Sequence, residues 1–383
     1  MTSSAASARE AMPDRLRGIA LLGIVVVNAP YFALSNEGFT TASVASTTNA
    51  VTAFMVFMFA QGKFYLLFSF LFGYSAAFIL RDNSKPNRRR FIYRLIALLL
   101  IGVAHAVFFF IGDILITYAL LGFALLLLSR RSNKALITWS GISAAVGVLL
   151  LLLVVAASVF VTEPDPAVLN LDRALMAGTF LEAAAARMEL LPTVVLSVLL
   201  VQGPMAFAAF LLGLLASRRR LLADPSTHRQ LWKRLMLFGL GIGIPVQVVA
   251  AWLQISALRG GDLFTFDGAI GVFIGFTTAP VLTAGYIGLL GWALTKRETF
   301  MEWAAPAGRA SLSVYIGESV VLSLLFSGYG LGFFDQWGAL PVVLAGTASW
   351  LVLSAAAQLW LRKFTRGPLE IVLAKTTALP SGS

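Results

Sequence analysis

The sequence predicts an all-α protein: a polytopic integral membrane helical bundle of about ten transmembrane helices, with both termini cytoplasmic. Three observations lead there. First, 58% of the 383 residues are hydrophobic and only 12% are charged, whereas soluble domains carry about 25% charged residues. The mean hydropathy is +0.85. Second, several apolar runs exceed about 18 residues, long enough for a helix to cross a bilayer. Third, the basic residues gather in alternate connections between those runs.

Ten spans are expected, at 16–35, 51–80, 91–111, 113–129, 135–161, 191–216, 232–257, 268–294, 310–327 and 340–361. The first follows Arg15 and Arg17 and so resembles a signal peptide, but the many spans after it favour an uncleaved first helix. The second is long and interrupted by "QGK" at Gln61–Lys63, which suggests a short outer helix followed by a span from Phe64 to Leu80. The third and fourth form a tight hairpin turning at "IGD". The fifth ends at "TEPDP", which breaks the helical pattern. The mixed stretch that follows, with Leu171, Leu175, Phe180 and Leu181, suits an interfacial helix on the outer leaflet. The sixth span runs into a basic connection, and the last four run in two pairs between basic connections.

With the N-terminus inside, "RDNSKPNRRR", "RRSNK", "SRRRLLADPSTHRQLWKR", "TKRE" and "LRKFTR" all fall inside, and the outer loops hold only Arg173, Arg187 and Arg259. This is the positive-inside bias. It accounts for the net charge of +11 without nucleic acid as a partner. The implied organisation is a cytoplasmic tail (1–14), an N-terminal half of five spans (15–161), an extracytoplasmic interfacial segment (162–190), a C-terminal half of five spans (191–375) and a flexible tail (376–383). Cysteine is absent, which excludes disulfides and thiolate chemistry.

A faint internal repeat runs through the two halves. "FLFGYS" at Phe70 and "FLLGLL" at Phe210 each precede a basic loop, and "RLIALLLIG" at Arg94 and "RLMLFGLGIG" at Arg234 follow at the same spacing. In that register His105 corresponds to Pro245 and Lys63 to Gly203. The scaffold is shared, while these ionisable groups occur in the first copy only.

A few polar residues stand out because ionisable groups in membranes are expensive. His105 lies roughly 9 Å from the outer end of its span at about 1.5 Å per residue. Asp113 opens the next helix, so imidazole and carboxylate can meet near the outer face, an arrangement suited to a general base. An Asp at a helix start is also an ordinary cap. Lys63 is the one cation well inside an apolar span. It suits an anionic group or developing oxyanion, or it snorkels at a helix break. Glu318, with Tyr315 one turn before it and Arg309 nearby, marks the ninth span as a substrate contact or as polar glue between helices. Arg17 and Asn28 bracket the first span as a cytoplasmic flank and a helix-helix contact, or as substrate contacts. Arg88–Arg90 and Arg218–Arg220 suit phosphates or anionic lipid heads, although topology alone explains them. There is no P-loop, zinc-protease or serine-elbow motif and no metal-ligand cluster in the sequence, so no metal is expected.

Taken in order, "RGIALLGIVVVN", "GKFYLLFSFLFG", "RLIALLLIGVAH" with "GDILITYALLG", "GRASLSVYIGES" with "GYGLGFF", and "RGPLE" resemble the YeiB-like family of bacterial inner-membrane proteins, which end in a conserved domain of unknown function (418). The resemblance covers Arg15 to about Lys375. That family is distantly similar to transmembrane acyltransferases, which move an acyl group from a cytoplasmic thioester donor to an acceptor across or within the membrane. The resemblance implies acyl-CoA as donor, membrane lipids as surroundings, a cell-envelope sugar or lipid as acceptor, and His105 as base or acyl relay beside Asp113 and Lys63. One departure stands against it. The sugar O-acyltransferase pattern has a histidine near the end of its first span, where this chain has Asn28, which cannot act as a base. A small-molecule or lipid exporter using His105, Asp113 and Glu318 for proton coupling, and a non-enzymatic membrane scaffold, are the alternatives.

Overall fold

The computed structural model describes residues 10–35, 38–80, 82, 84–158, 174–261 and 265–377. Among them every regular element is a helix. In chain order they are α1 (Ala11–Ala33), α2 (Thr47–Phe59), α3 (Phe64–Ile79), α4 (Lys85–Phe108), α5 (Leu115–Leu128), α6 (Asn133–Ser158), α7 (Phe180–Val201), α8 (Gly203–Arg218), α9 (Arg229–Gly260), α10 (Phe266–Leu294), α11 (Ala305–Arg309), α12 (Ser311–Phe326), α13 (Ala339–Trp360) and α14 (Pro368–Thr376).

Local sequence sets the starts. The Ser46 side chain accepts from the Asn49 backbone N–H at α2, Ser84 does the same for Asn87 at α4, and Thr265 for Gly268 at α10. Each satisfies one of the donors that a first turn leaves unpaired. At α7, Thr179 and Glu182 form a reciprocal capping box.

The count of spans is where sequence and structure part. Among the described residues eight helices are long and apolar enough to cross a membrane, with α2 and α3 counted together as Thr47–Ile79, or nine with the pair Glu302–Arg309 and Ser311–Phe326, which bends by 85°. The expected span 113–129 is the shorter apolar helix α5. The expected span 191–216 is replaced by two helices, α7 and α8, meeting at Gln202. The outer segment expected at 162–190 therefore ends earlier, because Phe180–Leu190 is already the first half of α7. Its capping box starts that helix and an alanine-rich turn carries it on. Residues 162–173, with Arg173, and the tail 378–383 lie outside the described residues. Helix α1 begins at Ala11, within the stretch expected as the N-terminal tail (1–14). The break expected at Gln61–Lys63 is present between α2 and α3, with Gly62 at φ +81°, a conformation glycine adopts without steric cost.

The repeat is visible as a reciprocal contact. A Cβ on Gly73 would lie 2.0 Å from the Phe210 carbonyl oxygen, and a Cβ on Gly213 would lie 1.9 Å from that of Phe70. α3 and α8 thus touch backbone to backbone, each through its own glycine. The flanking contacts follow the same exchange. α2 packs on α9 while α7 packs on α4; α3 packs on α10 while α8 packs on α5; α1 packs on α3 while α6 packs on α8. These contacts are matched between the two copies around the α3–α8 contact. Helices α11, α12 and α13 add a third block that packs chiefly on α1, where the Trp350 indole N–H donates to the Gly18 carbonyl at 3.1 Å, and through α13 also on α2.

One end of the bundle collects the cations. Arg17 bonds Ser75 and pairs with Asp14, Arg15 donates to the Glu298 carbonyl, and Arg218 bonds the carbonyls of Ser129 and Arg131. These bonds place the ends of α3 and α10 beside the start of α1, and the end of α8 beside that of α5. This basic end and the opposite, far end are the two faces referred to below.

The glycine contact has a direct test. Gly73→Ala and Gly213→Ala each drive a methyl into a backbone carbonyl, and each is expected to lower the thermal unfolding midpoint in detergent by several degrees. Gly241→Ala, where nothing stands within 4 Å, is expected to leave it unchanged or raised. Equal behaviour of all three variants would mean that the close approach carries no stability.

Candidate functional site

His105 ends α4 and Asp113 precedes α5, and the short turn between them folds the two helices together. The His105 Nδ1 and Asp113 Oδ2 lie 2.7 Å apart, with both residues almost wholly buried at 2% and 3% exposure. An ionised Asp113 only accepts, so a neutral His105 facing it would donate from Nδ1 and offer Nε2 as the acceptor. Asp113 also does the ordinary work of a cap: its Oδ1 accepts the Ile116 backbone N–H at 2.9 Å. The two functions expected of Asp113 are therefore carried by its two oxygens at once. Nε2 is buried and has no hydrogen-bond partner among the described residues.

Tyr315, from α12, completes this group. Its ring centroid lies 5.1 Å from the imidazole, and its hydroxyl accepts the Ile114 backbone N–H at 3.3 Å. Glu318, one turn further along α12, is also buried, and its Oε1 has no hydrogen-bond partner among the described residues. It lines neither cavity described below.

Lys63 was expected beside His105 and Asp113. The structure gives it other partners. Its side chain is completely buried, and its ammonium donates to the Phe57 carbonyl at 2.7 Å and to Gln247 Oε1 at 2.6 Å. Phe57 is in the last turn of α2, so Lys63 caps a helix C-terminus whose carbonyls lack partners and carry negative dipole charge. Gln247 is held in turn by the Gly275 carbonyl and the Thr278 hydroxyl on α10. A cation at the centre of a bilayer costs about 3 kcal/mol on insertion scales. Two charge-assisted bonds of about 1.5–3 kcal/mol each offset that, so Lys63 is held in place by its own bonds.

Two cavities meet at the Tyr315 side chain. The far-end cavity, about 320 Å³, is lined by Asn28, Tyr31, Gln61, Gly62, Tyr65, Gly112, Arg187 and Gln202 among mostly apolar neighbours. The basic-end cavity, about 350 Å³, is lined by Arg17, Arg90, Arg94, Arg309, Arg366 and Glu370, with Phe68, Phe72, Leu98 and Tyr118 deeper in. Ile24, Ile114 and Tyr315 belong to both linings. The expected residues thus divide. Asn28 faces the far cavity, Arg17 and Arg309 face the basic one, Tyr315 stands between, and the His105–Asp113 pair sits behind the shared wall.

Sequence reasoning missed four contributors. Arg187 was assigned to an outer loop; it is in α7 and 2% exposed, donating to the Phe108 carbonyl at 3.1 Å and to the Tyr329 hydroxyl at 3.3 Å. Gln247 is fully buried inside an apolar run, and that polar interruption was the available signal. Arg94 and Arg366 read singly as topological flanks.

Chain comparisons agree with one another. The family model described as "Protein of unknown function (DUF418)" matches residues 216–380. The chain is 30% identical to the uncharacterized protein YxaH of Bacillus subtilis strain 168, over 96% of this chain and 93% of that one. It is 26% identical to the uncharacterized protein YeiB of Escherichia coli K12, over 96% of each. An uncharacterized 39.9 kDa protein in the amylase 3' region of Bacillus acidopullulyticus is 34% identical over 30% of this chain and 32% of its own length. No solved structure matches.

The Lys63 arrangement predicts a coupled pair. Lys63→Met and Gln247→Leu are each expected to destabilise by about 1–3 kcal/mol, and the double variant by clearly less than their sum. Thermal unfolding of the four proteins measures it; strict additivity would show that the bond holds nothing.

Proposed function

The chain belongs to the YeiB-like DUF418 family, and from that premise we propose that it is an integral membrane acyltransferase of the bacterial cytoplasmic membrane. The donor is a cytoplasmic thioester such as acyl-CoA, and the acceptor is a cell-envelope sugar or lipid hydroxyl. One observation carries this reading: two cavities, one basic and one largely apolar, back onto the same Ile24–Ile114–Tyr315 wall, and a His–Asp pair lies against that wall. A donor with phosphates suits the first and an amphiphilic acceptor suits the second.

The chemistry assigned to the chain is simple. His105 Nε2 accepts the proton of the acceptor hydroxyl as the oxygen attacks the thioester carbonyl. A C–O bond forms and the C–S bond breaks. The proton passes from His105 to the departing thiolate, which leaves as a thiol. Asp113 holds the tautomer this requires and stabilises the transient imidazolium. Tyr315 must swing aside for both substrates to reach Nε2, which makes it the barrier between the cavities at rest. Lys63 acts as a positioning residue, since it fixes the α2–α3 break from which Gln61 and Gly62 line the far cavity.

The same pair of cavities, separated by one tyrosine, also suits alternating access. In that second reading the protein exports a small molecule or lipid, and His105, Asp113 and Glu318 couple it to protons.

Proteoliposomes separate the two. With acyl-CoA and envelope acceptors, free thiol is expected to appear only when acceptor is present. His105→Ala should slow its release at least about a hundredfold, the contribution of a general base. Wild-type rates in His105→Ala would falsify the assignment, and uptake of unmodified solute without thiol release would favour export. Orientation has its own test, since the chain contains no cysteine. In intact cells a membrane-impermeant maleimide is expected to label Thr48→Cys at the far end and to spare Ser226→Cys at the basic end, both sites being exposed. The reverse pattern would invert the topology and place the donor cavity outside.

A further inference from the structure

The basic-end cavity is crowded with charge. Five arginines line it, against Glu370 as the one carboxylate. Glu370 is already engaged: its Oε1 accepts the Leu312 backbone N–H at 2.6 Å and its Oε2 the Ser313 hydroxyl at 2.6 Å, so it caps the start of α12. Arg17 is met by Asp14 at 2.9 Å. Among the described residues, Arg90, Arg94, Arg309 and Arg366 have no carboxylate within ion-pair distance, and the Arg309 Nε is buried without any partner. Arg94 lies within electrostatic reach of Arg17, Arg90 and Arg366, with Glu370 as the one opposing charge. Converging guanidinium groups repel one another, and more strongly where the dielectric falls. An anion placed between them would relieve that repulsion.

We infer that this cavity binds a ligand bearing two or more phosphate charges joined to an apolar or extended chain. Arginine is suited to the head, because its planar fork of donors matches phosphate oxygens bidentately. Deeper in, Phe68, Phe72, Leu98 and Tyr118 line the route towards Tyr315, and they suit the part of the ligand that carries no charge. Only an amphiphile with a phosphorylated end satisfies both parts. Two sources share that chemistry: a soluble nucleotide thioester entering from the cytoplasm, and a phospholipid or polyprenyl phosphate entering from the leaflet. The inference deepens the transferase reading and takes its donor side from it. Its test reads binding alone, so a failure of transfer chemistry leaves it standing.

The probes are coenzyme A, and phosphatidate in nanodiscs of otherwise zwitterionic lipid, each titrated against the full chain. Saturable binding is expected for at least one of them. Arg366→Gln, at an exposed position where the fold is not at risk, and Arg94→Gln should each weaken it about tenfold, roughly the worth of one charge-assisted contact. Arg219→Gln, exposed on the same face outside the cavity, should leave it unchanged. Binding of coenzyme A with no preference for phosphatidate supports the nucleotide source, and the reverse supports the lipid source. Absence of saturable binding for both probes overturns the inference. So does equal weakening by Arg219→Gln, which would reduce it to surface electrostatics.

Discussion

The α3–α8 contact is the constraint on which the rest of the molecule depends. Inside a bilayer there is no hydrophobic drive to bring helices together, since lipid tails are as apolar as leucine. Close packing and polar contacts must supply it. Gly73 and Gly213 supply the packing: each lets the other helix's carbonyl approach to where a side chain would stand. Because the contact is reciprocal, one approach fixes both copies of the repeat. α2 is then laid against α9 and α7 against α4. Those two pairings position the broken helices, and the breaks in turn shape the far cavity through Gln61, Gly62 and Gln202.

The breaks themselves raise a problem of polar satisfaction. A helix that ends at membrane depth leaves carbonyls without partners, and these cost several kcal/mol each in hydrocarbon. At the end of α2 the solution is Lys63, whose ammonium meets the Phe57 carbonyl and passes the demand to Gln247. At the end of α4 a different cation serves. Arg187 reaches the Phe108 carbonyl from α7. Each cation sits on one repeat and caps a helix C-terminus, Lys63 within its own copy and Arg187 across the interface. Both are buried for a structural reason before any chemical role is considered.

How much of this was legible in the sequence follows from range. Apolar runs and basic connections are local, so the helical class and most helix positions could be read. The His105–Asp113 pair was legible because only eight residues separate its members and a short turn must bring them together. Lys63 could be recognised as anomalous, but its partner could not be found, since Gln247 lies 184 residues away. The start of α7 was missed because Glu182, Arg187 and Glu189 dilute its hydropathy; burial of Arg187 against α4 decides it, and that is a tertiary fact. The arginine cavity was illegible for the same reason. Its members come from α1, α4, α11 and the connection after α13, and each alone reads as a positive-inside flank. Only the fold shows that they face one another.

The distribution of unusual residues follows the places where the repeat's symmetry fails. Two related copies give a scaffold with two equivalent positions for every residue, yet His105 has Pro245 as its counterpart and Lys63 has Gly203. The third block, α11 to α13, packs on α1 and has no equivalent against α6 among the described contacts. It is this block that delivers Tyr315 to the imidazole and Arg309 to the basic cavity. A symmetric pair of copies would offer two shallow, equivalent crevices. Adding one block to one side closes a single crevice into two cavities, walls them from each other with Tyr315, and leaves one histidine nitrogen unpaired behind that wall. A buried imidazole oriented by Asp113, with Nε2 unpaired among the described residues, contributes nothing to packing that a carbon-based ring would not supply at lower desolvation cost. Its presence on the asymmetric side, with a proline in its place on the other, is why the proposed chemistry is assigned to where the third block meets the first copy.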